Sequence, residues 1–196
     1  MPLERVEQQP YVYYRKGAVV MYLLQERLGE DAVDRALARF DARFRFKGAP
    51  YPRSLDLIDE FRKEAQTPLQ QQLITDLFAN ITLYDLKVTD AKTRKDASGW
   101  TTTLTVAAEK FYASGKGKET KAQLNEPIEI GLFTERPGIG AFSAKNVIVM
   151  GREPVHSGVQ KIVVHSRVKP DFAGIDPYNY YVDRNSDDNL KAVTAG

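Results

Sequence analysis

The sequence contains no cysteine. That excludes a disulfide framework, a thiolate nucleophile and any cysteine-ligated metal site, and it leaves the redox compartment unread. Histidine is nearly as scarce, with only His156 and His165 present. No HExxH accompanies them, so two isolated histidines on strand or loop are read as structural rather than as metal ligands. An excess of one charge is missing as well. Lys+Arg number 28 against 26 Asp+Glu, a formal net of +2. A balance that even provides no global field for a nucleic acid or an acidic membrane, so no nucleic-acid partner is expected. No apolar run approaches the roughly 20 residues needed to span a bilayer. The opening "MPLERVEQQP" lacks the apolar stretch of a signal peptide. The chain is expected to be soluble.

Several catalytic signatures are also absent. There is no GxSxG elbow to present a nucleophilic serine. The glycines of "ERPGIGAF" follow no strand-to-helix pattern, and no GKS or GKT comes after them, so a hairpin turn is the better reading than a phosphate cradle. "ASGKGKETK" is read as a solvated basic hairpin tip. "DRNSDDN" lacks the D-x-[DN]-x-[DN]-G spacing of a calcium loop and is read as a turn with side chain–backbone bonds.

What is present changes character near residue 80. Before it the apolar residues recur at helical spacing. A first helix is predicted over Tyr14–Leu28, with Val19, Tyr22, Leu23 and Leu28 inward and Gly29 as its stop. A second follows over Asp31–Phe44, with Val33, Leu37, Phe40 and Phe44 on one stripe and arginines opposite. Ser54 is expected to cap "LDLIDEFRKEA". Thr67, Pro68 and Gln70 form a capping-box start for "TPLQQQLITDLF".

From Ile81 the period becomes two. "ITLYDLKV" alternates Ile81, Leu83, Leu86 and Val88, and "WTTTLTVAAEKFYA" alternates Trp100, Leu104 and Val106 against threonines. "KDASGW" reads as the hairpin turn between them. "EPIEIGLFTE", "NVIVMG" and "VQKIVVHSRV" continue the series. The fold class expected is α+β, helices followed by an antiparallel β-sandwich. The division expected is a helical part over residues 1–80, a sandwich over 81–176, and a polar tail over 177–196 read as loop.

The stretch "YVYYRKGAVV" places Tyr11, Tyr13 and Tyr14 just ahead of a Lys-Gly step. An aromatic cluster packing a helix start accounts for three tyrosines. A phenol there is also a neutral donor, able to hydrogen-bond an oxyanion as its charge develops. Tyr14-Arg15-Lys16-Gly17, followed by "AVVMYLLQERLGED", resembles the Y-x-K-G stretch of the alanyl aminopeptidase (gluzincin) family of zinc peptidases. "LGEDAVDRALARFDARFRF" and "PYPRSLDLIDEFRK" resemble the helical segment that follows in that family. "LITDLFANITLYDLKVTDA", "EKFYASGKGKET", "IEIGLFTE" and "IDPYNYYVDRNSDDN" resemble the subgroup carried on an ABC-transporter-permease-like membrane protein.

The resemblance implies that residues 1–80 are the closing helices of a thermolysin-like catalytic domain. It assigns Tyr14 as the oxyanion donor and Lys16-Gly17 as the start of its helix. It implies a peptide substrate, removal of N-terminal residues, and zinc in the parent protein. The zinc ligands would lie before Met1, in an upstream catalytic subdomain, so no zinc is expected on this chain and the chain alone is expected to be inactive. The parent would sit in a bacterial inner membrane, with membrane contact only through its own spanning segments. The rival reading is a β-sandwich interaction module of peptidase descent without catalysis. A second rival is a degenerate family member in which Tyr14 is a relic.

Overall fold

The computed structural model describes residues 1–196. The protein is α+β, and its chain divides into two compact units. One comprises Met1–Thr82 with Tyr112–Thr120, the other Leu83–Phe111 with Lys121–Gly196.

The first unit is helical. A π-helical turn, Tyr11–Lys16, runs without a break into α1, Gly17–Leu28. Then come α2 (Glu30–Phe44), α3 (Ser54–Glu64) and α4 (Pro68–Ile74), the last continued by a π-helical turn, Thr75–Ala79. Gly29 separates α1 from α2 with φ 94°, a backbone state that glycine adopts without steric cost. The apolar faces include Leu23 and Val33 as expected but are otherwise rotated. In α1 the buried residues are Val20, Leu23 and Leu24, while Tyr22 points outward; in α2 they are Ala32, Val33 and Ala36. Small alanines let α2 approach its neighbours closely. Its arginines do not simply face water either. The Arg39 guanidinium bonds Glu60 at 2.9 Å and reaches Glu64, and Arg35 bonds Glu64 at 2.7 Å, which ties α2 to α3.

The core of this unit is Leu23, Leu24, Phe61, Ile74 and their neighbours, with Phe61 stacked on Phe78 at 5.8 Å. The Thr67–Gln70 capping box forms as expected, each backbone N–H bonding the other's side chain at 3.2 Å. Ser54 does not cap α3. Arg53 holds that position, with its N–H bonded to the Asp56 carboxylate at 2.8 Å, and the Ser54 hydroxyl instead donates to the Glu4 carbonyl at 2.6 Å. Asp76 is a buried hub: Tyr112 donates to its carboxylate at 2.7 Å, Gln72 at 3.0 Å and Asn80 at 3.2 Å.

The second unit is a sandwich of two sheets. One has the order β3-β2-β1-β9, with β6 also paired to β2; the other has the order β5-β4-β7-β8. The strands are β1 Thr82–Asp96, β2 Gly99–Ala113, β3 Glu119–Ala122, β4 Asn125–Phe133, β5 Val147–His156, β6 Gly158–Ser166, β7 Phe172–Ile175, β8 Leu190–Ala192 and β9 Thr194–Ala195. The β1–β2 turn falls on Ala97 and Ser98, within the expected segment. Asp96 fixes it by accepting the Ser98 N–H at 2.8 Å and the Ser98 and Thr101 hydroxyls; these bonds hold its carboxyl well below the usual range.

The phase of β1 is as expected at Leu86 and Val88 and is offset by one ahead of them. Thr82, Tyr84, Leu86 and Val88 face inward, and Ile81 and Leu83 do not. β4 is buried on both faces from Ile128 to Phe133, as befits a strand between β5 and β7. Pairing is mixed rather than purely antiparallel, because β9 lies parallel to β1. The C-terminal segment, expected to be loop, is stitched into the sandwich. β8 pairs with β7, and the Gly196 N–H bonds the Thr93 carbonyl at 2.9 Å. Tyr181 and Asn189 are buried.

Candidate functional site

Tyr14 lies in the π-helical turn, not at a helix mouth. Helical backbone begins at Pro10, a residue suited to a first turn because its missing N–H would be unbonded there anyway. Gly17 is inside the helix at φ −58° and ψ −41°. The α-helix does begin at the Lys16-Gly17 step, but the backbone is already helical ahead of it through the π-helical turn. π-Helical turns are rare and gather at functional sites. Here the turn is anchored on its C-terminal side by the buried Val20, Leu23 and Leu24 of α1. The Tyr14 side chain is 72% exposed, with its ring 4.8 Å from that of Tyr13. Tyr11 and Tyr22 are exposed to a similar degree, and Arg15 lies over the Tyr11 ring at 5.6 Å. Lys16 is partly buried, and burial pushes its ammonium group below the ordinary lysine range. The arrangement is a continuous helical segment that displays phenols outward. Chemically it offers neutral hydrogen-bond donors to a group brought to it.

The sandwich unit holds two polar clusters that sequence reasoning did not find. In the first, the Lys110 ammonium (β2) bonds the Glu126 carboxylate (β4) at 2.6 Å. The hydroxyls of Tyr84 (β1) and Tyr181 donate to the same carboxylate at 3.2 and 3.4 Å. All four residues are buried, and the Tyr84 and Tyr181 rings meet edge-on at 4.6 Å. The cluster joins the two sheets and is closed to ligands. Its trace in the sequence is Lys110, which falls in the inward phase of Leu104, Val106 and Ala108.

The second cluster surrounds Asp176, fully buried at φ 42°. Its carboxylate accepts the N–H groups of Tyr180 and Tyr181 at 2.9 and 3.0 Å, and its own N–H bonds the Glu129 carbonyl at 2.8 Å. Burial, reinforced by the charges of Glu129 and Asp183, outweighs those two N–H bonds and pushes the Asp176 carboxyl up to about 7. Burial also raises Asp183. Glu129 is paired with Arg152 at 2.7 Å.

His156 and His165 belong to different sheets. His156 is opposite Asn125, and His165 is opposite Thr101, whose hydroxyl lies 3.0 Å from its Nδ1. No three His, Asp or Glu side chains converge in a way that could hold a metal ion. The "DRNSDDN" segment is a turn of the kind expected, with Asp183 and Asn185 each accepting a backbone N–H two residues on. No helix is long and apolar enough to cross a membrane. Compared with known proteins, the chain matches no family model and no curated protein.

Proposed function

We propose that this chain is the C-terminal region of a zinc-dependent aminopeptidase, in which the helical unit contributes Tyr14 to the reaction site. The reading rests on the resemblance of Tyr14-Arg15-Lys16-Gly17 and the segments after it to the alanyl aminopeptidase family. One structural observation supports it: the Tyr14 phenol is displayed, 72% exposed, from a π-helical turn on an anchored helix. Gly17 adds to this. A glycine inside a helix costs about 1 kcal/mol relative to alanine, yet nothing lies within 4 Å of where its Cβ would be. No packing within the unit calls for that glycine, whereas a backbone approaching from outside would.

In this reading Tyr14 donates its O–H to the peptide carbonyl oxygen as negative charge develops there. It brings no competing charge, and the helix sets the direction in which its side chain leaves the backbone. The zinc and its ligands belong to the parent's upstream subdomain, and the sandwich unit supports the assembly. The test is Tyr14→Phe in the full parent protein, assayed on aminoacyl-anilide substrates. The expected result is a fall in kcat of about 10²–10³, the usual consequence of losing one oxyanion donor, with the fold intact by circular dichroism. An unchanged kcat removes Tyr14 from the chemistry, and a parent with no measurable activity leaves the non-catalytic family member as the reading.

A further inference from the structure

β5 and β6 follow one another through the single residue Ser157, yet they belong to different sheets. β5 is the outer strand of one sheet, and β6 is paired to β2 of the other. The two strands meet at the Ser157 corner and part towards their far ends, the start of β5 and the end of β6. There they border a cleft of about 580 Å³, of a size that holds a small ligand or a few residues of peptide. Its walls include Trp100, Lys145, Val147, Val149, Arg167 and Val168.

Two properties of this cleft point to an occupant. The first is the state of the β5 edge. Proteins guard outer strands with charges, prolines or glycine-rich breaks, because unpaired backbone groups invite another strand. β5 is guarded only in its second half, where Gly151, Arg152, Glu153 and Pro154 follow in succession. Its first half, Val147–Met150, carries neither charge nor proline, and this is the half that borders the cleft. A bulge at Ile148, where Val147 and Val149 face the consecutive Phe133 and Leu132, re-aims the side chains locally.

The second property is charge. Lys145 and Arg167 line the cleft, Lys169 lies over the Trp100 ring at 5.8 Å, and no lining residue is a carboxylate. Asp96, beside the lip residue Ser98, turns its carboxylate to Ser98 and Thr101. We infer that the cleft between β5 and β6 binds an extended acidic peptide segment, which adds as a strand to Val147–Met150 while its carboxylates meet Lys145 and Arg167. Backbone pairing supplies the affinity and the cationic rim supplies the selection. The inference is independent of the aminopeptidase reading and holds or fails without it.

The test uses the full 196-residue chain and a fluorescein-labelled decapeptide of alternating Glu and Val, followed by fluorescence anisotropy. The acidic peptide is expected to bind, with Kd rising as salt is added. A Lys/Val peptide of the same length should bind at least tenfold more weakly, as should an acidic peptide N-methylated at alternate amides, whose backbone cannot pair. Lys145→Glu with Arg167→Glu, both exposed and outside the core, should cost at least tenfold for the acidic peptide and leave Tm unchanged. Equal binding of acidic and basic peptides overturns the proposal, as does indifference to N-methylation or to the charge reversal. Competition by a DNA oligonucleotide of matched charge would make the cleft a general polyanion site and would also overturn it. So would concentration-dependent dimerisation in sedimentation that vanishes on Val149→Pro, because the β5 edge would then belong to a second copy.

Discussion

Replacing Lys110 with methionine leaves the Glu126 carboxylate buried without its cation. Lys110 and Glu126 are 2.6 Å apart, with side chains 4% and 10% exposed. At an effective dielectric constant of 20 their gross attraction is about 6 kcal/mol. Removing both charges from water costs several kcal/mol each, so the intact pair contributes little net stability. Half a pair is another matter. In Lys110→Met the carboxylate keeps only the phenols of Tyr84 and Tyr181, at 3.2 and 3.4 Å, and the expected loss is about 3–5 kcal/mol. Glu126→Gln removes the carboxylate charge beside the buried Lys110 ammonium and is expected to be destabilising as well. The double variant retains the amide oxygen as an acceptor for the two phenols and buries no charge. It is expected within about 1–2 kcal/mol of the parent, a coupling of several kcal/mol between the two sites. The assay is urea unfolding followed by the fluorescence of Trp100, the sole tryptophan, which lies on β2 and reports on the sandwich unit. A loss below 1 kcal/mol in Lys110→Met, or a double variant as unstable as the sum of the singles, would refute this account.

Asp176 predicts an unusual pH dependence. Its carboxyl, ordinarily at 3.8, sits at about 7 in the folded protein because of burial, so the folded state keeps a proton that the unfolded chain releases. The stability it contributes is present below about pH 4 and is lost as pH rises through 7, by about 4 kcal/mol in all. Asp56, Glu60 and Glu64 are shifted down by their hydrogen-bonded cations and backbone donors, and their contribution is lost only on acidification below the ordinary carboxylate range. Urea midpoints should therefore fall between pH 5 and pH 8, and Asp176→Asn should flatten that fall; an unaltered slope would contradict the assignment. Gly131→Ala should destabilise the sandwich by about 1–3 kcal/mol, because its Cβ would lie 2.2 Å from the Phe133 ring, and a shift in Tm of less than 1 °C would show that the ring swings away freely.

What the sequence disclosed depended on how local its cause was. The Thr67–Gln70 capping box was legible because every bond in it spans three residues. The hairpin at Ala97–Ser98 was legible for the same reason. The α+β class followed from periods of 3.6 and 2, which need no knowledge of partners. The inward phase at the start of β1 was not legible, because Tyr84 is drawn inside by Glu126, which is 42 residues away. The C-terminal segment reads as loop because its residues are mostly polar, whereas Asn189 within it is fully buried and β8 pairs with β7. The stripe of α2 was displaced because Arg35 and Arg39 have partners on α3. Of the site, Tyr14 could be singled out by its neighbours in the chain, but not the π-helical turn that carries it, since no residue type marks such a turn.

That turn has a geometric consequence. A π-helical turn takes one more residue to close each hydrogen-bonded loop than the α-helix it joins. A helical wheel drawn backwards from Leu24 at 100° per residue therefore loses its phase at Gly17 and assigns wrong azimuths to Tyr11, Tyr13 and Tyr14. The wide turn acts as an angular vernier between the buried anchors of α1 and the phenols ahead of them. Loss of one residue between Tyr14 and Gly17 would bring Tyr13 to the place in the chain that Tyr14 now occupies, leaving Val20, Leu23 and Leu24 in place. Adjacent tyrosines thus give this segment a tolerance for the loss of one residue that a single phenol would not have.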